Sequence, residues 1–461
     1  HPERPRRAAP RERRPLAWVR GRMTADSHYR LPPGVEMPRW REGPAAEEWV
    51  VYHEGTGQTL RLSAAACVLP AALARGPLDR GRLYEALASA LADPPGRVEL
   101  ESALDGLIEG LVKHELIEPL AAPGSQAEHP LPMAGDAAGG AETAPAHHTP
   151  TQPNDTGIVG WQRLGELSPA EVGARLRKGL ALATGPFVFR IVSHLPLVAT
   201  NLYRLYADFP LAEGPFADFH VRVDAVGGPR RWFKPQAQFW LDGHTPFKPL
   251  PFDQAYAMLE WGMNWCIASH AHHYLMLHAA VLERGGRALI LPGDPGAGKS
   301  TLTAALMLDG WRLLSDEITL IDRYHGRLYG LARPVSLKNA SIDVIRAHAP
   351  QAVFGDVARD THKGTVSHLK PSGESVARCH EAAHHAWIVF PRWRQDVPAR
   401  LTPHPKAAAF LHLASHAFNY SLLGVAAFDL TTRLMDACAC WDFEYGRLPE
   451  ALAVFRALAG A

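Results

Sequence analysis

The stretch Ala288-Leu289-Ile290-Leu291-Pro292-Gly293-Asp294-Pro295-Gly296-Ala297-Gly298-Lys299-Ser300-Thr301 decides how this chain is read. Its first four residues form a short apolar run of the buried-strand kind. Residues 293–300 then match the phosphate-loop pattern G-x-x-x-x-G-K-[ST] at every fixed position. From Thr301 to Leu308 the pattern is helical, with Leu302, Ala305 and Leu306 on one side and Gly310 as the stop signal. Strand, glycine loop and helix thus come in the order that phosphate binding requires. Glycines let backbone N–H groups curl around phosphate oxygens, Lys299 neutralises the outer phosphates, and Ser300 offers its hydroxyl to Mg²⁺ at the positive end of the helix. The expected nucleotide-binding set is Gly293, Asp294, Pro295, Gly296, Ala297, Gly298, Lys299, Ser300 and Thr301, with ATP as the nucleotide.

A carboxylate at the end of a neighbouring strand is the next requirement, because Mg²⁺ prefers hard oxygen ligands and a phosphoryl acceptor needs a base or an orienting group. Trp311-Arg312-Leu313-Leu314-Ser315-Asp316-Glu317 supplies two acids at the end of an apolar run. Were the strand to continue through them, they would face opposite sides, one toward the metal and the other toward the acceptor. The expected metal ligands are Ser300, Asp316 and Glu317. His278, in Leu277-His278-Ala279-Ala280-Val281, reads by itself as a strand histidine satisfied by its neighbours. Cys438-Ala439-Cys440 with Cys379-His380 reads as buried packing rather than as a zinc set.

Around this centre the chain of 461 residues has room for two to four domains. Its 5 cysteines are too few and too scattered for a disulfide framework, which makes a reducing, cytoplasmic setting the expectation. No apolar run is long enough for a membrane span. The net charge of +1 conceals unlike parts. Residues 1–22 carry eight Arg and two Glu, and Met23-Thr24-Ala25-Asp26 reads as a start, with the Arg-rich part as upstream sequence. Residues 1–39 are taken as a basic arm. Residues 40–120 form a compact module: Trp49–Tyr52 and Thr59–Leu62 flank a Gly55-Thr56-Gly57 turn as a hairpin, Ser63 caps the first of three helices, and Leu116-Ile117-Glu118 is a closing strand. Leu83, Leu87, Ala90 and Leu91 face the core from the second helix, and Leu100, Leu104, Leu107, Leu111 and Val112 from the third. The shape is winged-helix-like, but residues 41–120 hold 7 Lys+Arg against 13 Asp+Glu, which excludes a nucleic-acid reader. Residues 121–157, rich in Ala, Gly, Pro, Thr and His, are expected to be a flexible linker. The second domain runs from 158 to 461 and is of α/β class with α+β features.

With these motifs in view, residues 160–455 resemble the HPr kinase/phosphorylase family, most of all its HprK-related kinase A branch. The likeness rests on the loop, on Leu277 to Val281, on the Asp316-Glu317 pair, and on Phe216 to Val221, Leu259 to Ile267 and Arg333-Pro334-Val335-Ser336-Leu337-Lys338-Asn339. It implies a P-loop kinase domain of the HPr kinase and phosphoenolpyruvate carboxykinase type, with Mg²⁺-dependent transfer from ATP to a protein hydroxyl. His278 matches the family's strand histidine and Asp316 its first aspartate, while Glu317 replaces the second. The resemblance therefore implies catalytic roles for Asp316, Glu317 and His278. The Glu-Ile-Arg-Gly signature of that family is absent where Arg333 to Asn339 stand, and Lys338, Lys363 and Lys370 are candidates to replace its phosphate contacts. The N-terminal module resembles the PqqD-like peptide chaperones through Thr56-Gly57-Gln58-Thr59, Leu62-Ser63, Ala64-Ala65-Ala66 and Leu116 to Pro119, which implies capture of a peptide by strand addition.

The expectation is an ATP-dependent kinase that phosphorylates a hydroxyl on a peptide or protein delivered by its own N-terminal module. Two alternatives stay open: an ATP-gated peptide-binding protein without phosphoryl transfer, and a kinase of a small-molecule hydroxyl. The sequence is also compatible with a homo-oligomer.

Overall fold

A computed structural model describes residues 27–36, 39–42, 46–91, 94–120, 159–228, 233–294 and 296–460. The basic stretch 1–26, the linker 121–157 and Pro295 lie outside the described residues. The chain divides into two compact units, residues 1–145 and 146–461, and the whole is mixed α/β with several sheets.

In the first unit the hairpin pairs Ala46–His53 with Gln58–Leu62 in antiparallel register from Trp49↔Leu62 to His53↔Gln58. Three helices follow, Ala64–Leu73, Arg80–Ala90 and Arg97–Lys113. The Ser63 hydroxyl accepts from the Ala66 amide at 3.3 Å, which caps the first helix, and the Asp79 carboxylate caps the second by accepting from the Arg82 amide at 2.7 Å. Leu83, Leu87, Leu100, Leu104, Ile108 and Leu111 form the core with Leu116 and Ile117. Ala90 is exposed, and Leu107 and Val112 are only half-buried, so the third helix turns Ile108 inward where Leu107 was expected.

Two expectations need correction here. The closing strand is Glu118–Leu120 rather than 116–118, since Leu116 and Ile117 are used up as core. Nor does the basic arm extend to residue 39. His28–Arg30 pairs antiparallel with Glu118–Leu120 and with Leu78–Asp79, Val35–Glu36 pairs with Ala46–His53, and buried Tyr29 joins the core. The first strand finds its partner some ninety residues on, a pairing that local pattern does not announce.

The second unit is built around two large sheets. A seven-stranded sheet runs in the order Leu250–Pro251, Gln236–Leu241, Phe219–Ala225, Phe187–Val192, Leu180–Thr184, Pro210–Ala212, Val159–Arg163. Helix Ala255–His270 packs on it, closely enough that Gly262 leaves no room for a Cβ beside the Phe239 ring. A six-stranded mixed sheet runs Arg312–Ser315, Ala279–Arg284, Arg287–Pro292, His384–Trp393, Ala439–Tyr445, Arg400–Pro403. Arg287–Pro292, His384–Trp393 and Ala439–Tyr445 are mutually parallel, so their C-terminal ends lie side by side. Helix Lys299–Leu308 packs against Ala279–Arg284, and helix Leu448–Ala459 packs against it and Ala439–Tyr445. Leu289, Leu291, Leu302, Ala305, Leu306, Trp311 and Phe455 fill the space between.

One ion pair holds the edge of this sheet. Arg312 and Glu283 lie on neighbouring strands at 3% and 2% side-chain exposure and bond through Nε and Oε2. The Gly286 amide donates to Glu283 Oε1 at 2.5 Å, and Arg312 Nη1 donates to the carbonyls of Arg378 and Glu381. Burial opposes the Glu283 charge, but these donors and Arg312 outweigh it and hold the carboxyl below its usual range. Because the folded-state pKa is depressed, the contribution to stability is present above about pH 4.3, the unfolded glutamate value. It is lost as pH falls through the folded pKa. Glu283→Gln leaves Arg312 without its counter-charge and is expected to lower stability in urea unfolding at pH 7 by about 3–5 kcal/mol. The gap from the wild type should narrow as the buffer is made acid.

Candidate functional site

The loop leaves the sheet at the end of Arg287–Pro292, and helix Lys299–Leu308 follows it with Leu302 to Met307 all buried. Gly296 and Gly298 take φ of +89° and +85°, the left-handed region where a side chain is strained. Two parallel strands brace the turn from beyond it. Trp393 donates its amide to the Ala297 carbonyl at 3.0 Å, and the Tyr445 hydroxyl donates to the Gly298 carbonyl at 3.1 Å. Ser300 and Thr301 open the helix, both half-buried, and Asp294 is exposed.

Strand Arg312–Ser315 stops before the two acids, which sit in a bend ahead of the next strand, Thr319–Asp322. The alternation of a continuing strand therefore does not apply. Both Asp316 and Glu317 line one small cavity with Glu260, Trp261, Asn264, Arg333, Ser336 and His368.

Asp316 is 5% exposed. Its Oδ2 accepts from the Ser336 amide at 3.0 Å, while its Oδ1 is buried with no hydrogen-bond partner among the described residues. Burial pushes its carboxyl up to about 6, against the pull of Lys299 and with a further push from Glu317. Lys299 Nζ donates to the Asp316 carbonyl at 3.1 Å, and burial lowers the lysine's pKa against the attraction of both acids. An orphaned carboxylate oxygen beside a second carboxylate is the donor chemistry that a hard divalent cation takes.

Glu317 Oε2 accepts from Asn264 Nδ2 at 2.6 Å. Burial works against its charge too, but Lys363, Lys338 and Lys299 outweigh that and hold its carboxyl below the usual range. Lys338 and Lys363 are thus gathered at the acids, and Lys363 also stands 5.3 Å over the Trp261 ring. Lys370 is not; it is paired with Asp208 at 2.8 Å.

His278 occupies the break between Tyr274–Leu277, in one sheet, and Ala279–Arg284, in another. Burial, then Lys299, lowers its pKa to about 4, so the ring is neutral near pH 7, and Glu317 and His416 are close enough to act on it.

Behind the acids lies a buried network to which residue pattern gave no role. Arg333 donates from Nη2 to the Glu260 carboxylate at 2.5 Å and from Nη1 to Asn264 Oδ1 at 2.6 Å. Glu260 also accepts from the hydroxyls of Tyr206 and Tyr256, at 2.9 and 2.5 Å. Burial opposes the Arg333 charge, but Tyr206 and Glu260 keep the guanidinium protonated. Asn264 therefore joins Arg333 on one side to Glu317 on the other. Glu260 and Asn264 stand four residues apart on helix Ala255–His270, a spacing that places them on one face. That spacing was the available signal, but their partner Arg333 is too distant in sequence for it to be read.

No family model matches the sequence, and no curated protein does. Among solved structures, the chain is similar to the Hpr(Ser) kinase/phosphatase from Coxiella burnetii at 12% identity and a TM-score of 0.18, over 40% of this chain and 96% of that one. A likeness at that TM-score supports no statement about this chain's activity. Among the described residues, no helix is long and apolar enough to cross a membrane.

The brace predicts a contrast between two glycines. A Cβ at Gly298 would meet the Tyr445 hydroxyl at 2.6 Å and Trp393 Cβ at 2.9 Å, whereas one at Gly296 would meet nothing within 4 Å. Gly296→Ala should cost about 1 kcal/mol from its backbone angle alone. Gly298→Ala adds clashes with the Tyr445 hydroxyl and with Trp393 Cβ, the latter fixed directly to the backbone, and should cost about 3 kcal/mol. Thermal melts of the two variants should therefore differ, with Gly298→Ala melting several degrees below Gly296→Ala.

Proposed function

We propose that the second unit is an ATP-dependent phosphotransferase that uses Mg²⁺ and acts on a hydroxyl group. The observation that carries this reading is the convergence of Lys299, at the start of a glycine-loop helix, on Asp316, whose Oδ1 is buried and unpartnered. Backbone amides of Gly293, Asp294, Gly296 and Gly298 and the Lys299 ammonium would bind the ATP phosphates. Ser300 and one carboxylate of the Asp316/Glu317 pair would hold the Mg²⁺, whose chemistry is to draw charge from the transferring phosphoryl group.

Asp316 orients the acceptor hydroxyl and takes its proton. The acceptor oxygen forms a bond to the γ-phosphorus as the bond from that phosphorus to the β,γ-bridging oxygen breaks, and ADP leaves with the electron pair. Asn264, locked by Arg333, fixes the Glu317 carboxylate, and Lys338 and Lys363 add positive charge where the phosphoryl group carries its negative charge. His278, held neutral by burial and Lys299, is near enough to Glu317 to interact with its charge.

An apolar groove adjoins the acids, lined by Phe247, Leu250, Met258, Trp261, Trp265 and Lys363. Trp261 lines this groove and the carboxylate cavity alike. That supports an acceptor with an aromatic or aliphatic group near its hydroxyl, as a peptide side chain provides, and favours a peptide over a small polar metabolite. The N-terminal module, by its resemblance to peptide chaperones, would supply that peptide at high effective concentration.

Lys299→Ala should weaken ATP binding by roughly 10- to 100-fold, from the loss of a charge-assisted contact, read by calorimetric titration. Asp316→Asn should keep ATP binding within a fewfold while lowering transfer of labelled phosphate to an extract-derived acceptor by about 10²- to 10⁴-fold. Undiminished transfer by Asp316→Asn would defeat the base assignment. Tight ATP binding with no labelled product from the wild-type chain would favour the gated binder instead.

A further inference from the structure

A second cluster of ligand-type side chains includes a residue of the glycine loop itself. Helix Lys406–Ser415 carries His412, and His416 follows as its C-cap. Four residues apart, the two rings stack in near-parallel, 4.3 Å between centroids and 17° between planes. Facing them is Asp294, the second residue of the loop. One ring nitrogen from each histidine and one carboxylate oxygen all lie within 4.8 Å of one another.

The hydrogen bonds at His416 show which nitrogen faces the cluster. Its Nδ1 lies 2.9 Å from the His412 carbonyl and 3.0 Å from Ser415 Oγ, so Nδ1 carries the proton and donates to the carbonyl. In the neutral ring that leaves the Nε2 lone pair toward Asp294 Oδ1 at 3.4 Å. The pair is then satisfied by a cation between them, either a proton on Nε2 or a metal ion. A direct charge-assisted N–H···O bond would be shorter, about 2.7–2.9 Å, whereas the edge of a tetrahedron with metal–ligand bonds of about 2.0–2.1 Å is about 3.4 Å. His412 Nε2 is buried and has no hydrogen-bond partner among the described residues. Phe390, 9% exposed, sets its ring edge-on to His412 at 5.0 Å and holds that orientation.

A histidine that donates its second nitrogen to a backbone carbonyl, two imidazoles one helical turn apart and a single carboxylate make up a metal-ligand set with its outer support. Imidazole with one carboxylate suits a late first-row ion, and unlike the all-oxygen set at Ser300, Asp316 and Glu317 it does not suit Mg²⁺. We propose that Asp294, His412 and His416 form a binding site for a divalent transition metal of the zinc class, which fastens the glycine loop to the end of helix Lys406–Ser415. His278 donates its amide to the His416 carbonyl at 3.0 Å, so the fastening also reaches the strand break. The site rests on its own donors and stands whether or not the loop binds nucleotide.

The full chain, stripped with chelator and desalted, is titrated with ZnCl₂ and separately with CoCl₂. The chain holds 24 histidines, so the reading is a difference between proteins and not an absolute count. Wild type should retain one more equivalent of Zn²⁺ after desalting than either His412→Gln or Asp294→Asn. It should also give visible Co²⁺ absorption of tetrahedral strength that both variants lack, and excess MgCl₂ should not displace the metal. Asp294 is exposed, so its variant keeps the test valid if His412→Gln misfolds, and far-UV circular dichroism checks both. Equal retention by wild type and Asp294→Asn, or a Co²⁺ spectrum unchanged by the substitution, would mean that only a proton bridges His416 and Asp294 and would overturn the proposal.

Discussion

Asp316 is taken almost wholly out of water beside Lys299, and the polar groups behind it form one connected chain. An isolated carboxylate in such surroundings would be several kcal/mol uphill, so charge has to be brought to it. Lys299 comes from the loop helix, the Ser336 amide from the strand on its other side, and Glu317, Asn264, Arg333 and Glu260 follow as a chain of compensations reaching helix Ala255–His270. Among the described residues Asp316 Oδ1 is left open, and so are Trp261 Nε1, Ser336 Oγ and His368 Nε2 on the same cavity. Four unpartnered polar atoms on one cavity are groups that a polar ligand would satisfy.

The glycine loop shows the same economy in backbone terms. Its turn needs positive φ at Gly296 and Gly298, but only Gly298 is also crowded, because the C-terminal ends of two parallel strands converge there. Parallel strands put their ends on one side of a sheet, and ligands of open α/β sheets bind outside those ends. Trp393 and Tyr445 convert that topological fact into two hydrogen bonds on consecutive loop carbonyls. Within the turn the Ala297 amide is used on the Asp294 carbonyl at 3.1 Å.

How much of this was legible in the sequence depended on distance along the chain. The strand, loop and helix from Arg287 to Leu308 are written in consecutive residues, and the hairpin at Trp49 to Leu62 likewise, so both could be read directly. His28–Arg30 could not, because it pairs with Glu118–Leu120 and its own residues look like the end of a basic tail. At the candidate site, Asp316 and Glu317 were visible as a pair, but their geometry depended on where the strand ends, and a single residue, Ser315, separates alternating faces from a shared cavity. Glu260, Asn264 and Arg333 lay in stretches that carry the resemblance, but none stood out as a functional residue. A buried ion pair has no local periodicity, and seventy residues separate its partners.

The strand's early end bears on chemistry as well as on topology. Had Arg312–Ser315 run on through the acids, Asp316 and Glu317 would have pointed to opposite faces, one of them in a different environment from the other. In the bend they share one cavity yet differ in charge preference: burial raises Asp316 to about 6, while three lysines keep Glu317 below the usual range. Two neighbouring carboxyls pushed apart in this way have the charge preferences that the proposed split of roles calls for, the ionised one toward a cation and the one near neutrality toward a proton. The difference follows from lysine placement: Lys363 and Lys338 are the leading attractions on Glu317, whereas Lys299 leads on Asp316, and its ammonium bonds the Asp316 carbonyl rather than the carboxylate.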